Sequence, residues 1–377
     1  MPTSVRSLKT GNQWAKEVRT LRILVDAFTK KNLGDDLFLK ILFDRYPSEI
    51  QWIVLCDSEE QLSAFQAYRN VRMFQQKKDR YTDMDAVINI GGSIFMQNRF
   101  WWIRHLLYRL SYAIPMKWQR KPLFIVGCNY GPSNSKWMYL LNKWFIRYFV
   151  SDICFRDKKS YHLFRDLKQS RYSPDIVYGL DVHPIRHGHR DKHKAGICIM
   201  HFSDEVINRQ WVNKMTALIE RLCSENETVE LFSFCREQKD LETYQQMMEK
   251  LGPSYENKIK LAVYDGRIND FLLELNSVGY LITLRFHSLV LAHVLRLSYY
   301  PIVYSNKTSH VLDDLGIQEY THIKDIGRLD IDRVLHQIKQ ARDFPIHRIK
   351  AEAEHQFKTI DRFLFDFYTR GFKVESQ

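Results

Sequence analysis

The sequence predicts an α/β protein of two doubly wound domains closed by a terminal helix. Short runs rich in Ile and Val alternate with segments whose apolar residues recur every three or four positions, as buried parallel strands and crossover helices do. That alternation is interrupted by the polar, aperiodic stretch Pro184–Lys194, P-I-R-H-G-H-R-D-K-H-K, which reads as a linker. With 377 residues the chain is also too long for one ordinary core, at about 150 residues per domain.

In the first domain the expected strands are Leu21–Asp26, Ile50–Cys56, Ala86–Ile90, Leu123–Gly127 and Ile153–Phe155. Between and after them the helical spacing covers Asp35–Phe43, Glu59–Tyr68, Phe100–Ile114, Lys136–Phe149 and Lys158–Leu167. A second series places strands at Ala195–Met200, Val229–Phe234, Ile259–Val263, Tyr280–Leu284 and Pro301–Tyr304. Its helices fall at Arg209–Cys223, Leu241–Leu251, Asn269–Asn276, Ser288–Val294 and Val311–Leu315. Ile349, Phe357, Ile360, Phe363, Leu364 and Phe367 keep near-helical spacing, so a terminal helix packs back across the body. The expected organisation is a tail (1–20), an N-terminal domain (21–185), a linker (186–194), a C-terminal domain (195–342) and a C-terminal helix (343–377), with no repeat at solenoid periods.

Composition excludes several classes. Hydrophobic residues at 45% and charged residues at 27%, with 15 Gly and 10 Pro, rule out disordered and low-complexity chains. The six cysteines form no C-x-x-C spacing, which argues against zinc modules and a disulfide framework and reads as buried thiols in a reducing compartment. Met1–Thr20 carries Arg6, Lys9, Lys16 and Arg19 without an apolar run, and no apolar run approaches the roughly 20 residues of a membrane span. The expected location is cytoplasmic, on or near the inner face of the membrane.

The net charge of +12 favours anionic partners, and it is concentrated. Ala86–Ser151 contains no Asp or Glu but nine basic residues: Arg99, Arg104, Arg109, Lys117, Arg120, Lys121, Lys136, Lys143 and Arg147. Phe100, Trp101, Trp102, Tyr108, Tyr112, Trp118, Trp137, Trp144 and Tyr148 alternate with them. Such a surface is either a solvated helix face or one suited to an anionic membrane, where Trp and Tyr sit at headgroup depth.

In two-domain sheets of this kind the site lies where strand ends and helix N-termini face a cleft, so the loops after strands matter most. Asn32-Leu33-Gly34-Asp35-Asp36 follows the first strand and reads either as an N-cap with a tight turn or as a cleft loop. Gly91-Gly92-Ser93 follows Ile90, and Gly127-Cys128-Asn129-Tyr130-Gly131-Pro132 follows Val126; small residues there let backbone N–H groups approach an anion. Thr283-Leu284-Arg285-Phe286-His287-Ser288 closes a strand and opens a helix. In extended chain Arg285 and His287 would project to one side, an anion clamp beside a proton donor, and Lys307 follows the next strand. The alternative is that His287 caps the helix and Lys307 is solvated.

The ordered set N-L-G-D-D, G-G-S-I-F, G-C-N-Y-G-P, R-D-K-K-S (Arg156–Ser160), S-P-D (Ser173–Asp175), R-F-H and Tyr304-x-x-Lys307 resembles the polysaccharide pyruvyl transferase family over about Leu21–Gly316. The most specific part is R-x-H followed by Ala292 and Y-P-I-V-Y-S-N-K from Tyr300 to Lys307. The resemblance implies two facing Rossmann-like domains of the GT-B kind, and transfer of pyruvate from phosphoenolpyruvate to a sugar of a surface or exopolysaccharide precursor as a cyclic ketal. It implies that Arg156, Arg285, His287, Ser288 and Lys307 hold the donor. Asn32, Gly34, Asp35, Gly91, Gly92, Ser93 and Asn129 would line the acceptor side. The chain departs from the family pattern at Lys31 and Ser93, where glycines are common, and at Gln97, where Asp is frequent.

Phosphoenolpyruvate carries a phosphate and a carboxylate, so several cations must converge on it. His287 is the expected acid and Asp35 the expected base for the sugar hydroxyl, with Arg285 and Lys307 beside them. No cofactor and no metal cluster is called for. The expected partners are phosphoenolpyruvate, a sugar acceptor carried on a lipid diphosphate and an anionic membrane surface, and no nucleic acid. Two other classes use similar features: a two-domain glycosyltransferase taking a nucleotide sugar, and a non-catalytic module binding RNA or DNA through the basic segment.

Overall fold

The computed structural model describes residues 20–96, 101–131, 135–186, 188–339 and 344–373, with the side chains at 101, 186, 306, 307, 339 and 370–373 outside that description. Gln97, Pro132 and nearly all of the N-terminal tail therefore lie outside the described residues.

The first sheet contains β1 (Arg22–Asp26), β2 (Gln51–Leu55), β3 (Val71–Met73), β4 (Ala86–Ile90), β5 (Leu123–Cys128), β6 (Asp152–Phe155) and β7 (Ser170–Tyr172). All pair in parallel, in the order β3-β2-β1-β4-β5-β6-β7. Its helices are α1 (Leu33–Arg45), α2 (Trp101–Trp118), α3 (Lys136–Phe149) and α4 (Lys158–Phe164), followed by the short α5 (His183–Arg186). The second sheet contains β8 (Asp191–Ile199), β9 (Thr228–Ser233), β10 (Ile259–Val263), β11 (Val278–Thr283), β12 (Ser298–Val303) and β13 (Thr321–His322), in the parallel order β10-β9-β8-β11-β12-β13. Helices α6 (Glu205–Ser224), α7 (Asp240–Leu251), α8 (Ile268–Asn276), α9 (Phe286–Leu295), α10 (Asn306–Asp314) and α11 (Ile331–Lys339) accompany it. The tail forms α12 (Ile346–Ala353) and α13 (Lys358–Lys373).

Each sheet reverses its strand order once, between β1 and β4 and between β8 and β11, as Rossmann-like folds do. β4 and β5 are buried along their whole length because helices cover both faces, hence their unbroken apolar runs. Leu24, Val87 and Ile125 pack toward α2 and α3 with Tyr112 and Phe145. On the opposite face Val25, Ile88 and Val126 pack with Leu37 and Phe38 of α1, in a core that continues into the C-terminal domain.

Three edge strands, β3, β7 and β13, were not expected; two or three half-buried residues carry too little pattern to announce a strand. Glu59–Phe65 is a 3-10 helix rather than the expected α-helix, and its two buried residues, Leu62 and Phe65, are three apart, the spacing that eclipses on three residues per turn. β8 begins at Asp191, inside the stretch expected as linker, because backbone pairing carries it past its apolar run: Asp191 N–H donates to the Ser277 carbonyl at 2.9 Å.

The C-terminal segment returns to the first domain. Arg45 and the Tyr46 hydroxyl bind Asp361 at 2.9 and 2.8 Å. Gln356, fully buried, accepts from Gly127 N–H at 2.9 Å and donates to the Ser173 and Pro174 carbonyls at 2.8 and 2.9 Å. Truncation to Ala leaves three backbone groups unpaired, so Gln356→Ala is expected to lower stability by about 2–4 kcal/mol. Urea unfolding followed by circular dichroism measures it, and a loss within experimental error of zero would refute the latch.

Candidate active site

The cleft is built where the first turn of α1 meets the C-terminal domain. Lys31 precedes it with φ 44°, in the left-handed region, which accounts for the glycine common at this place in the resembling family. Asn32 is the N-cap, its side chain accepting Gly34 N–H at 3.0 Å. Asn32 also bridges Cys235, and Leu33 N–H donates to the Phe234 carbonyl at 3.1 Å, so the start of α1 is stitched to the end of β9. Asp36, not Asp35, enters the seam: it is 2% exposed, accepts the Tyr264 hydroxyl at 2.6 Å, and burial pushes its carboxyl up to about 7. Asp35 is half-buried beside the glycine turn, its Oδ1 4.0 Å from where a Cβ on Gly91 would stand.

Arg285 and His287 do not share a strand face. Arg285 is the extended N-cap of α9 and His287 lies in the helix's first turn, so the two side chains diverge. Arg285 turns into its own domain, donating to Gln238 and Asp240 at 2.5 Å each and leaving Nε buried without a hydrogen-bond partner. Ser288, expected against the donor, is fully buried and closes the turn: its Oγ accepts from Leu284 N–H at 3.2 Å and donates to the Arg285 carbonyl at 2.7 Å.

His287 instead crosses to the N-terminal domain. A Cβ on Gly34 would stand 1.7 Å from its Nδ1, so only glycine admits the ring there. Phe38 and Phe286 meet the imidazole edge-on, with centroids 5.1 and 5.2 Å away. Its Nε2 is 3.5 Å from Arg156 Nη1 and 3.9 Å from Asp175 Oδ2. Burial lowers its pKa to about 4, Arg156 and Arg285 push the same way, and Asp175 opposes them; at pH 7 the imidazole is neutral.

Arg156 follows β6 and is held on every side. It donates to Asp175 at 2.8 Å and to Asn129 Oδ1 at 3.0 Å, its guanidinium lies 4.2 Å over the Phe286 ring, and a Cβ on Gly92 would come within 2.5 Å of Nη2. Asp175 in turn accepts Val177 N–H at 2.9 Å. The structure thus gathers His287, Arg156, Asn129, Gly34 and Gly92, with Ser93 exposed at the same turn. Asp175 and Asp36 receive no role from sequence reasoning; the S-P-D motif was the available signal for the first. Lys307 opens α10, and its side chain lies outside the described residues.

Two helix N-termini, of α1 and α9, therefore converge beside a buried guanidinium and a neutral imidazole, an arrangement suited to a small multivalent anion. Among the described residues no group of His, Cys, Asp and Glu could hold a metal ion.

A family model described as polysaccharide pyruvyl transferase matches residues 32–306. No curated protein sequence matches the chain. Among solved structures it is similar to Anabaena Alr3699/HepE in complex with UDP, at 12% identity over 93% of this chain and 100% of that one, with a TM-score of 0.55. The UDP-GlcNAc 2-epimerase of Methanocaldococcus jannaschii matches at 10% identity, 91% and 99% coverage and TM-score 0.58. That of Rickettsia bellii matches at 14% identity, 92% and 96% coverage and TM-score 0.57. At these identities the likeness is one of fold, two Rossmann-like domains of the GT-B kind.

Gly34→Ala supplies a direct check on the seam. Alanine in a helix is favoured over glycine by about 1 kcal/mol, yet its Cβ would occupy the His287 ring position. The variant is expected to keep its helix content by circular dichroism while losing most activity; full activity would show that His287 need not sit over α1.

Proposed function

The chain belongs to the polysaccharide pyruvyl transferase family, and we propose that it transfers the pyruvyl group of phosphoenolpyruvate to a sugar of a surface or exopolysaccharide precursor, forming a pyruvate ketal and releasing phosphate. The observation that carries this reading is the meeting of Arg156 and His287 over the N-terminus of α1. There the donor's phosphate and carboxylate would find a fixed cation, two electropositive helix ends and an imidazole within reach of the alkene.

In this reading His287 protonates the methylene carbon and a sugar hydroxyl attacks the neighbouring carbon, its proton passing to Asp35. The carbon–oxygen bond to phosphate then breaks and a second hydroxyl closes the ketal. Of the two hydroxyl protons, one restores what His287 gave to the new methyl group and the other leaves on phosphate. A neutral His287 cannot donate, so the donor's own negative charge must first raise its pKa. Arg285 serves through its unpartnered Nε or by fixing the α9 turn, and Lys307 supplies a further cation.

A second reading, transfer from a nucleotide sugar, is favoured by the UDP bound to the structurally similar Anabaena protein. Incubation with phosphoenolpyruvate or nucleotide sugars and a panel of acceptors, following phosphate or UDP release and product mass, separates the two.

We also propose that the protein works on the inner face of the membrane on a lipid diphosphate-linked sugar. No described helix is long and apolar enough to cross a bilayer. On α2 and α3, however, Leu107, Trp118, Trp137, Leu140 and Tyr148 are exposed, Trp118 by 85% and Trp137 by 76%, which supports an interfacial surface over a packed one. Four of the basic residues expected on that surface are engaged elsewhere. Arg109 is buried, binding the Ile94 carbonyl and lying 4.7 Å over the Phe95 ring, Lys143 and Arg147 pair with Asp166 at 2.8 and 3.4 Å, and Lys121 donates to the Thr82 carbonyl at 2.6 Å.

Donor binding should take up a proton, because His287 passes from a pKa of about 4 to a charged state. Calorimetry at pH 8, above the second pKa of about 6 of a phosphate ester, should show buffer-dependent enthalpies with phosphoenolpyruvate and affinity falling as pH rises. His287→Gln should abolish that dependence and lower turnover by about a hundredfold or more. Buffer-independent enthalpy in the parent would remove His287 as the acid. For the membrane, parent protein should sediment with phosphatidylglycerol liposomes in low salt. Changing Arg104, Lys117 and Lys136 to Gln with Trp118 and Trp137 to Ser should release it; equal recovery in the supernatant would leave a soluble acceptor.

A further inference from the structure

The N-terminal sheet carries another polar cluster, on the face opposite Arg156, that the donor chemistry leaves unused. Asp26 ends β1 and pairs in register with Asn89 of β4. Both therefore stand at the carboxyl ends of the two strands between which the order reverses, where open α/β sheets bind ligands. Their side chains share the α2 face with Leu24 and Val87, whereas Ile88 and Ile90 face α1.

Asn89 Nδ2 donates to Asp26 Oδ2, which also accepts the Tyr112 hydroxyl at 2.8 Å. The carboxylate fixes the amide's direction, since the reverse would set two oxygens against each other. That leaves Asn89 Oδ1 without a hydrogen-bond partner in a side chain only 4% exposed. Asp26 itself remains partly open to solvent. Burial raises its pKa, while Tyr112, Arg109, Asn89 and His105 pull it back. Tyr108, 41% exposed, stands at right angles to Tyr112 with centroids 5.9 Å apart, and it is close enough to Asp26 that, after burial, the carboxylate's charge is the next cause raising its phenol pKa.

Two adjacent acceptor oxygens call for two neighbouring O–H donors, and an exposed aromatic ring beside them suits the apolar face of a pyranose. β4 ends at Ile90, one residue after Asn89, and the chain turns at once to Gly92, where a Cβ would stand 2.5 Å from Arg156 Nη2, so this cluster and the Arg156 side flank the same strand end. We propose that Asp26 and Asn89 Oδ1 take two neighbouring hydroxyls of the acceptor sugar, with Tyr108 against its ring, so that the opposite edge faces Gly92 and Arg156. This assignment rests on the pyruvyl-transfer reading above.

The test uses the full chain with phosphoenolpyruvate and three probes: methyl β-D-galactopyranoside, methyl β-D-glucopyranoside and methyl α-D-mannopyranoside. Asp26→Asn should raise the acceptor KM about tenfold or more, with donor KM and saturated turnover within about threefold. Tyr108→Ala, at an exposed position that leaves folding intact, should raise acceptor KM about fivefold; it decides the matter if Asp26→Asn lowers the melting temperature. Phosphate release by the parent with unchanged acceptor KM in both variants overturns the subsite alone, as would equal rises in donor and acceptor KM. No phosphoenolpyruvate-dependent phosphate release by the parent on these probes or on a polyprenyl diphosphate-linked oligosaccharide overturns the pyruvyl-transfer reading and the subsite with it.

Discussion

The first turns of α1 and α9 approach so closely that a single added carbon on Gly34 would stand 1.7 Å from the His287 ring, and the domain seam is arranged around that contact. On one side of it lie the Leu33–Phe234 backbone bond and the Asp36–Tyr264 pair. On the other, Arg156 reaches His287, and farther out Lys159 meets His310 at 3.1 Å and Lys158 meets Asp314 at 3.5 Å. Because the apolar core on the α1 face runs on into the second domain, widening the cleft works against hydrophobic burial as well as these polar ties.

The charges of the cleft follow a matching rule in both halves. Each sheet contributes one buried arginine at a strand end, and each arginine is held by a buried carboxylate of its own domain, Arg156 by Asp175 at 2.8 Å and Arg285 by Asp240 at 2.5 Å. Buried ion pairs of this kind add little net stability, since desolvation offsets much of the attraction; their use lies in fixing direction. The imidazole between them stays neutral because burial first, and then the two guanidinium groups, disfavour a third positive charge more than Asp175 favours it.

Much of this was legible in the sequence. The central strands announce themselves because helices on both faces demand continuous apolar runs, and the glycine turns mark where Arg156 and His287 need room. Directions of side chains were harder. The spacing of Arg285 and His287 suggests one face only if the chain stays extended; the α9 helix starts between them, which no periodicity reports. Asp35 and Asp36 differ by one helical step, about 100° around the axis, enough to send the second into the seam. The Asp26–Asn89 pairing depends on strand register across 63 residues, a relation that local pattern does not encode.

Gln356 has a consequence in time. The loop that holds Asp175, and through it Arg156, is completed by a side chain synthesised some 180 residues later. Domains fold largely in the order in which they leave the ribosome, so the first sheet can form early while its anion-facing loop waits for the returning segment. Until that segment docks, the Gly127 amide and the Ser173 and Pro174 carbonyls must bond water instead. A nascent chain therefore carries a finished scaffold around an unfinished cleft until Gln356 has emerged and docked.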